Sequence, residues 1–155
     1  MSLKIDTSDL QSNVGKDCGT SDWFEIDQQR INDFADVTKD HQFIHVDPER
    51  AKDTPFGGTI AHGYLTLSLL AYFMQYGGVG VDVPNRTMGV NYGLDKLRFL
   101  QPVPAGSKVR ARAKLVEATE KNPGQYLFKL EVTVDIEGFE KPALIAETLT
   151  MVFTG

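Results

Sequence analysis

One cysteine, Cys18, is all that this 155-residue chain holds. No disulfide can form within it, and a reducing compartment is the expectation. Its neighbours Asp17 and Gly19 supply no base, so the thiol reads as inert. Histidine is nearly as scarce, with only His41, His45 and His62. Long apolar runs are missing too. The richest, Tyr64 to Tyr76, is interrupted by Thr66, Ser68 and Gln75 and falls short of the ~18 residues that cross a bilayer. The start of the chain shows no basic-then-apolar leader, so a cytoplasmic protein without membrane insertion is expected. A net charge of -5 offers nucleic acid no general attraction. Walker loop, GxSxG elbow and dinucleotide fingerprint are all absent.

What is present is ordinary for a globular protein: 41% hydrophobic, 10% aromatic and 24% charged residues, which argues against disorder. Without internal repeat or linker, residues 1–155 read as a single domain, with the polar residues 1–20 loosely ordered. Trp23 to Ile26 reads as a short strand, and Asp27 can cap a helix whose apolar face is Ile31, Phe34 and Ala35. Asp47-Pro48-Glu49 is a compact helix start, with a capping oxygen, proline at the first position and a carboxylate in the first turn. From Gly63 to Tyr76 the pattern is apolar nearly all round, so this helix should be enclosed by other structure.

The second half changes period. Val109 to Leu115 and Tyr126 to Ile136 alternate apolar with polar residues, and Ala143 to Phe153 supplies another strand. Val90 to Phe99 alternates as well but shifts phase near Asp95-Lys96, which predicts a bulge. Turns at Pro102 to Gly106, Asn122-Pro123-Gly124 and Glu137-Gly138 make the strands antiparallel neighbours. A curved antiparallel sheet wrapped around one hydrophobic helix buries both, an α+β arrangement that matches the hot-dog fold.

Two of the three histidines fall in Asp40-His-Gln-Phe-Ile-His45, on a segment that reads as non-repetitive. Its carboxylate and imidazole, Asp40 and His45, can hold and polarise one water. Asp40-x-Gln-Phe-Ile-His45-Val-Asp-Pro-Glu-Arg-Ala51, followed by Ile60-Ala-His-Gly63, resembles the MaoC-like dehydratases, the (R)-specific enoyl-CoA hydratases. Gln42 and Phe43 fit the nodulation-protein-N-like branch, where they stand for asparagine and proline. The resemblance runs from about Asp22 to Phe153, and Lys39 stands where the pattern usually has glycine.

The resemblance implies Asp40 and His45 as the catalytic pair, adding water across the double bond of trans-2-enoyl-CoA. His45 is favoured as base and Asp40 as proton donor to carbon, in a coupled pair. It also implies the Gly63 amide as the donor that polarises the thioester carbonyl. Gln42 is expected to shape the loop or contact substrate. His62 is expected to tie the helix start to the sheet or to contact substrate. No metal and no cofactor is expected beyond the coenzyme A of the thioester. The comb Lys108, Arg110, Arg112, Lys114 reads as a solvated strand face before a phosphate site, and Tyr64, Leu65, Tyr92 and Leu97 as core or acyl pocket. A homodimer or higher homo-oligomer is expected, paired edge to edge. Two rival readings are an acyl-CoA thioesterase on the same fold and a non-catalytic acyl-CoA-binding subunit, the latter kept open by Lys39.

Overall fold

The computed structural model describes residues 1–155. In chain order its elements are β1 (Leu3–Lys4), a 3-10 turn (Leu10–Asn13), β2 (Asp17–Thr20), β3 (Phe24–Ile26), α1 (Gln28–Thr38), α2 (Phe43–Val46), α3 (Pro48–Ala51) and α4 (Gly63–Tyr76). Strands β4 (Val81–Asp82), β5 (Arg86–Phe99), β6 (Ser107–Asn122), β7 (Gln125–Ile136) and β8 (Leu144–Thr154) follow. Asp27 caps α1 by accepting from the Arg30 N–H at 2.8 Å. Asp47 does the same for α3 through the Arg50 N–H at 3.1 Å, with Pro48 at the first helical position.

The main sheet has the order β2-β6-β7-β8-β5, with β3 also antiparallel to β6. Alternation orients it. Val109, Ala111, Ala113 and Leu115 of β6 and Phe128, Leu130, Val132 and Val134 of β7 join Leu65, Leu70 and Phe73 of α4 in one buried core. Pro123-Gly124 closes the β6–β7 hairpin with the glycine at φ +74°, a conformation that suits a residue without Cβ. The phase shift in β5 is real: its register against β8 slips between Leu94 and Lys96, and again between Asn91 and Gly93. The result is the α+β hot-dog arrangement, a curved sheet packed on one central helix.

Four features depart from expectation. Residues 1–20, read as loosely ordered, are tied down by side-chain chemistry that composition hides. The Asn13 amide, 1% exposed, donates to the carbonyls of Asp6, Asp9 and Leu10 and accepts from the Asp6 N–H. Cys18 lies in the same buried layer, where desolvation pushes its thiol up to about 11. Second, α4 is enclosed on one side only. Leu65, Thr66, Leu70 and Phe73 are buried, but Tyr64, Tyr72 and Tyr76 face outward, because the sheet of a single chain covers only one face of an all-round apolar helix. Third, the segment ahead of His45 is not wholly irregular, since Phe43–Val46 closes one helical turn through the Asp47 N–H to Phe43 carbonyl bond of 3.0 Å. Fourth, Tyr64, Leu65, Tyr92 and Leu97 do not converge on one pocket: Leu65 is core, and Tyr64 and Tyr92 are exposed. The basic comb is an outer strand face. Arg112 and Arg110 pair with Asp135 at 3.0 and 3.6 Å, and the Arg110 guanidinium also lies over the Trp23 ring.

Candidate active site

Three chain segments converge at the N-terminal end of α4. The first is the end of α1. Lys39, its C-cap, takes the left-handed conformation at φ 67°, which explains why the pattern has glycine there: the backbone must reverse to aim Asp40. Lysine adopts the conformation at some cost in strain, and the turn is kept. The Asp40 carboxylate is exposed to solvent, with Oδ1 accepting weakly from the Gln42 N–H at 3.3 Å.

The second segment is the α2 turn, which carries His45 inward until only 7% of it is exposed. Its Nδ1 lies 2.7 Å from the Ile60 carbonyl oxygen. A carbonyl only accepts, so Nδ1 carries the proton and Nε2 keeps its lone pair. Burial holds the imidazole below its usual pKa, opposed by the Ile60 hydrogen bond and reinforced by His62. The ring is therefore a neutral base with its free nitrogen fixed in tautomer.

The third segment is Ile60 to Gly63, the entry to α4. His62, 2% exposed, stacks on His45 with ring centroids 3.8 Å apart, and Phe34 of α1 packs against it at 4.9 Å. Its Nε2 donates to the backbone carbonyl of Asp40 at 3.0 Å and lies 4.0 Å from the Asp40 carboxylate. His62 thus ties the helix start to the Asp40 loop, where the sequence suggested a tie to the sheet. The Gly63 N–H makes no hydrogen bond inside the protein, as expected for the first turn of a helix. A Cβ on Gly63 would meet the Phe99 ring at 3.0 Å, so the glycine lets that aromatic wall close against the amide.

A cavity of about 310 Å³ joins these groups, lined by His45, Gly63 and Thr66 among apolar residues that include Phe99 and Val103. Asp40 borders the dyad rather than this cavity: ligand atoms of Asp40, His45 and His62 all lie within 4.8 Å of one another. That separation admits one water bonded to two of them at ordinary lengths of about 2.8 Å. His41 stands apart, paired with Asp36 at 2.9 Å on the surface. The Gln42 side chain, two residues from Asp40, is exposed and makes no hydrogen bond within the protein.

Sequence reasoning passed over Gln28. Its amide donates to the His45 carbonyl at 2.7 Å and its oxygen accepts from the Thr59 hydroxyl, so α1 pins the His45 turn to the Thr59–Ile60 segment whose carbonyl orients the ring. A glutamine at a first helical position carries no signal for this, because its partners are 17 and 31 residues away.

A hot-dog domain that sets a buried, tautomer-fixed histidine beside a carboxylate and a free helix-start amide holds the groups that a hydro-lyase needs. Residues 9–136 match the family described as MaoC like domain. The chain is 47% identical to Nodulation protein N of Rhizobium leguminosarum bv. viciae over 150 residues, covering 96% of this chain and 92% of that protein. It is 46% identical to 3-hydroxyacyl-thioester dehydratase Z of Mycobacterium tuberculosis over 144 residues, covering 92% of each. The solved (R)-hydratase from A. caviae involved in PHA biosynthesis shares the fold, with a TM-score of 0.71 and 24% identity over 88% of this chain and 94% of that one. The chain belongs to the MaoC-like dehydratase family and is an enzyme of its hydratase and dehydratase class.

Proposed function

We propose that this protein is an (R)-specific enoyl-CoA hydratase, adding water to trans-2-enoyl-CoA to give (R)-3-hydroxyacyl-CoA and catalysing the reverse dehydration. The observation that carries the reading is the pairing of an unprotonated His45 Nε2 with the free Gly63 N–H on one apolar cavity. A water held between Asp40 and His45 gives its proton to His45 Nε2 as its oxygen bonds to C3. The π electrons move to the thioester oxygen, where the Gly63 amide at the positive end of α4 receives the enolate charge. One such preorganised donor is worth about 3 kcal/mol. The proton held on His45 then passes by way of the Asp40 carboxylate to C2 of the enolate, so one water supplies both the hydroxyl and the hydrogen and the pair returns to its starting state. The acyl thioester is the only co-reactant this scheme needs besides water, and a cytoplasmic location is part of the proposal. No helix is long and apolar enough to cross a membrane.

A second copy of the chain completes the assembly in this reading. Strand β5 is an edge strand of 14 residues paired only with β8, and it exposes Met88, Val90, Tyr92, Leu94 and Phe99. Such an edge is a template for strand pairing, and an antiparallel partner related by a two-fold axis offers the same edge back.

The test follows the loss of enoyl-thioester absorbance with crotonyl-CoA and longer chains. Asp40→Asn and His45→Gln should each slow hydration about 100-fold or more while melting near the wild-type temperature. Wild-type turnover in both variants rules out this pair. Release of free thiol from saturated acyl-CoA, without hydration, would make the enzyme a thioesterase instead.

A further inference from the structure

We propose that Thr66 contacts the oxygen on C3, the hydroxyl of the 3-hydroxyacyl thioester, and thereby favours the hydrated partner of the reaction; this rests on the hydratase reading above. Thr66 is 2% exposed, lines the same cavity as His45 and Gly63, and its Oγ1 is shielded from water with no hydrogen-bond partner. A hydroxyl in a helix ordinarily bonds the carbonyl one turn back. Two others in this chain do so: Ser68, in the same helix, reaches the Tyr64 carbonyl at 2.7 Å, and Thr38 reaches that of Phe34 at 2.6 Å. For Thr66 the corresponding carbonyl, His62, instead takes the amide N–H groups of Leu65 and Thr66 at 3.0 and 3.3 Å. The Thr66 hydroxyl is thus a buried polar group left without a partner, on a residue that lines a cavity otherwise walled largely by apolar side chains. Native proteins rarely leave such a group unpaired without a use for it.

Position selects the ligand atom. Thr66 lies three residues after Gly63, on the same face of α4 and about 4.5 Å further along its axis at 1.5 Å per residue. With the C1 oxygen of the thioester on the Gly63 amide, the next oxygen of a 3-hydroxyacyl chain is the one on C3, a few ångströms away. Threonine in a helix populates two side-chain positions, so the hydroxyl can turn to meet it. The enoyl substrate carries no oxygen there. The contact therefore exists with the hydroxyacyl thioester, and with the attacking water in the transition state, but not with the bound enoyl thioester.

That asymmetry makes the contact measurable in both directions with crotonyl-CoA and (R)-3-hydroxybutyryl-CoA. In Thr66→Val, which keeps the shape, KM for the hydroxy substrate should rise about tenfold with kcat unchanged. Hydration should lose about tenfold in kcat with KM unchanged, as the fixed overall equilibrium requires. Thr66→Ser should restore both, and Thr66→Ala should repeat the split if the valine variant melts early. Wild-type constants in the hydroxyl-deleted variants overturn the proposal. So does an equal rise in KM for both substrates, which marks a contact with the shared thioester, and so does a serine variant as impaired as valine, which marks packing. A wild-type enzyme inert toward both thioesters instead overturns the hydratase reading, and this proposal with it.

Discussion

His45 divides its two nitrogens between structure and chemistry: Nδ1 is spent on the Ile60 carbonyl, and Nε2 is left for the proton of water. Because burial is the leading cause of its lowered pKa, the imidazolium is disfavoured in the folded protein. The sign follows. A base with a depressed pKa stays active as pH falls through 6.5 and is lost only further down, so the acid limb of the kcat/KM profile should have its midpoint below the ordinary histidine value of 6.5. A midpoint at or above 6.5 would take the role of base away from His45. Linkage runs the same way: the stability that depends on neutral His45 is complete above the unfolded value and falls away as pH drops towards the folded one. Asp40, His45 and Gly63 were legible because their meaning lies in local spacing and in a helix start. Gln28 and Thr66 were not. Gln28 acts through partners distant in sequence, and Thr66 stands out only once its missing hydrogen bond is visible.

At the scale of elements, the end of α1 shows how a helix terminus sets a catalytic loop. The left-handed Lys39 is what turns the chain out of α1 and towards Asp40, so the lysine is a substitution of side chain without a change of turn. Lys39→Gly should relieve backbone strain of about 1 kcal/mol, raising Tm by about 2–4 °C for a chain of this size, with turnover kept. A drop in Tm in calorimetry would mean that the lysine side chain stabilises the loop by more than its backbone costs. The helices and strands themselves were largely readable, because capping residues and period-two alternation are local signals. Alternation located β7 to within a residue and the start of β6, although β6 runs on past Leu115 to Asn122, and the phase break marked the β5 bulge. The N-terminal segment was not readable: it is held by β1 pairing with β4, by β2 pairing with β6 and by the four hydrogen bonds of one buried asparagine, none of which composition shows.

The whole molecule carries the largest mismatch between sequence and single chain. An all-round apolar α4 asks for cover on every side, and the sheet supplies it on one. The tyrosines left outside and the bare β5 edge belong to the same requirement, which the proposed second copy would meet. Placing lysine on that edge, as natural sheets do to keep edges apart, gives the test: in sedimentation, Val90→Lys with Tyr92→Lys should convert a dimer to a monomer whose far-UV circular dichroism is retained. A wild-type chain that sediments as a monomer, or a double variant that stays dimeric, would exclude β5 as the contact.

An unfinished edge also changes what stability means for this protein. Whatever closes β5 does so only in the folded state, so by mass action the folded form gains ground as the partner becomes more abundant. In the proposed dimer the melting temperature is set by concentration as well as by sequence, and dilution alone should act as a mild denaturant.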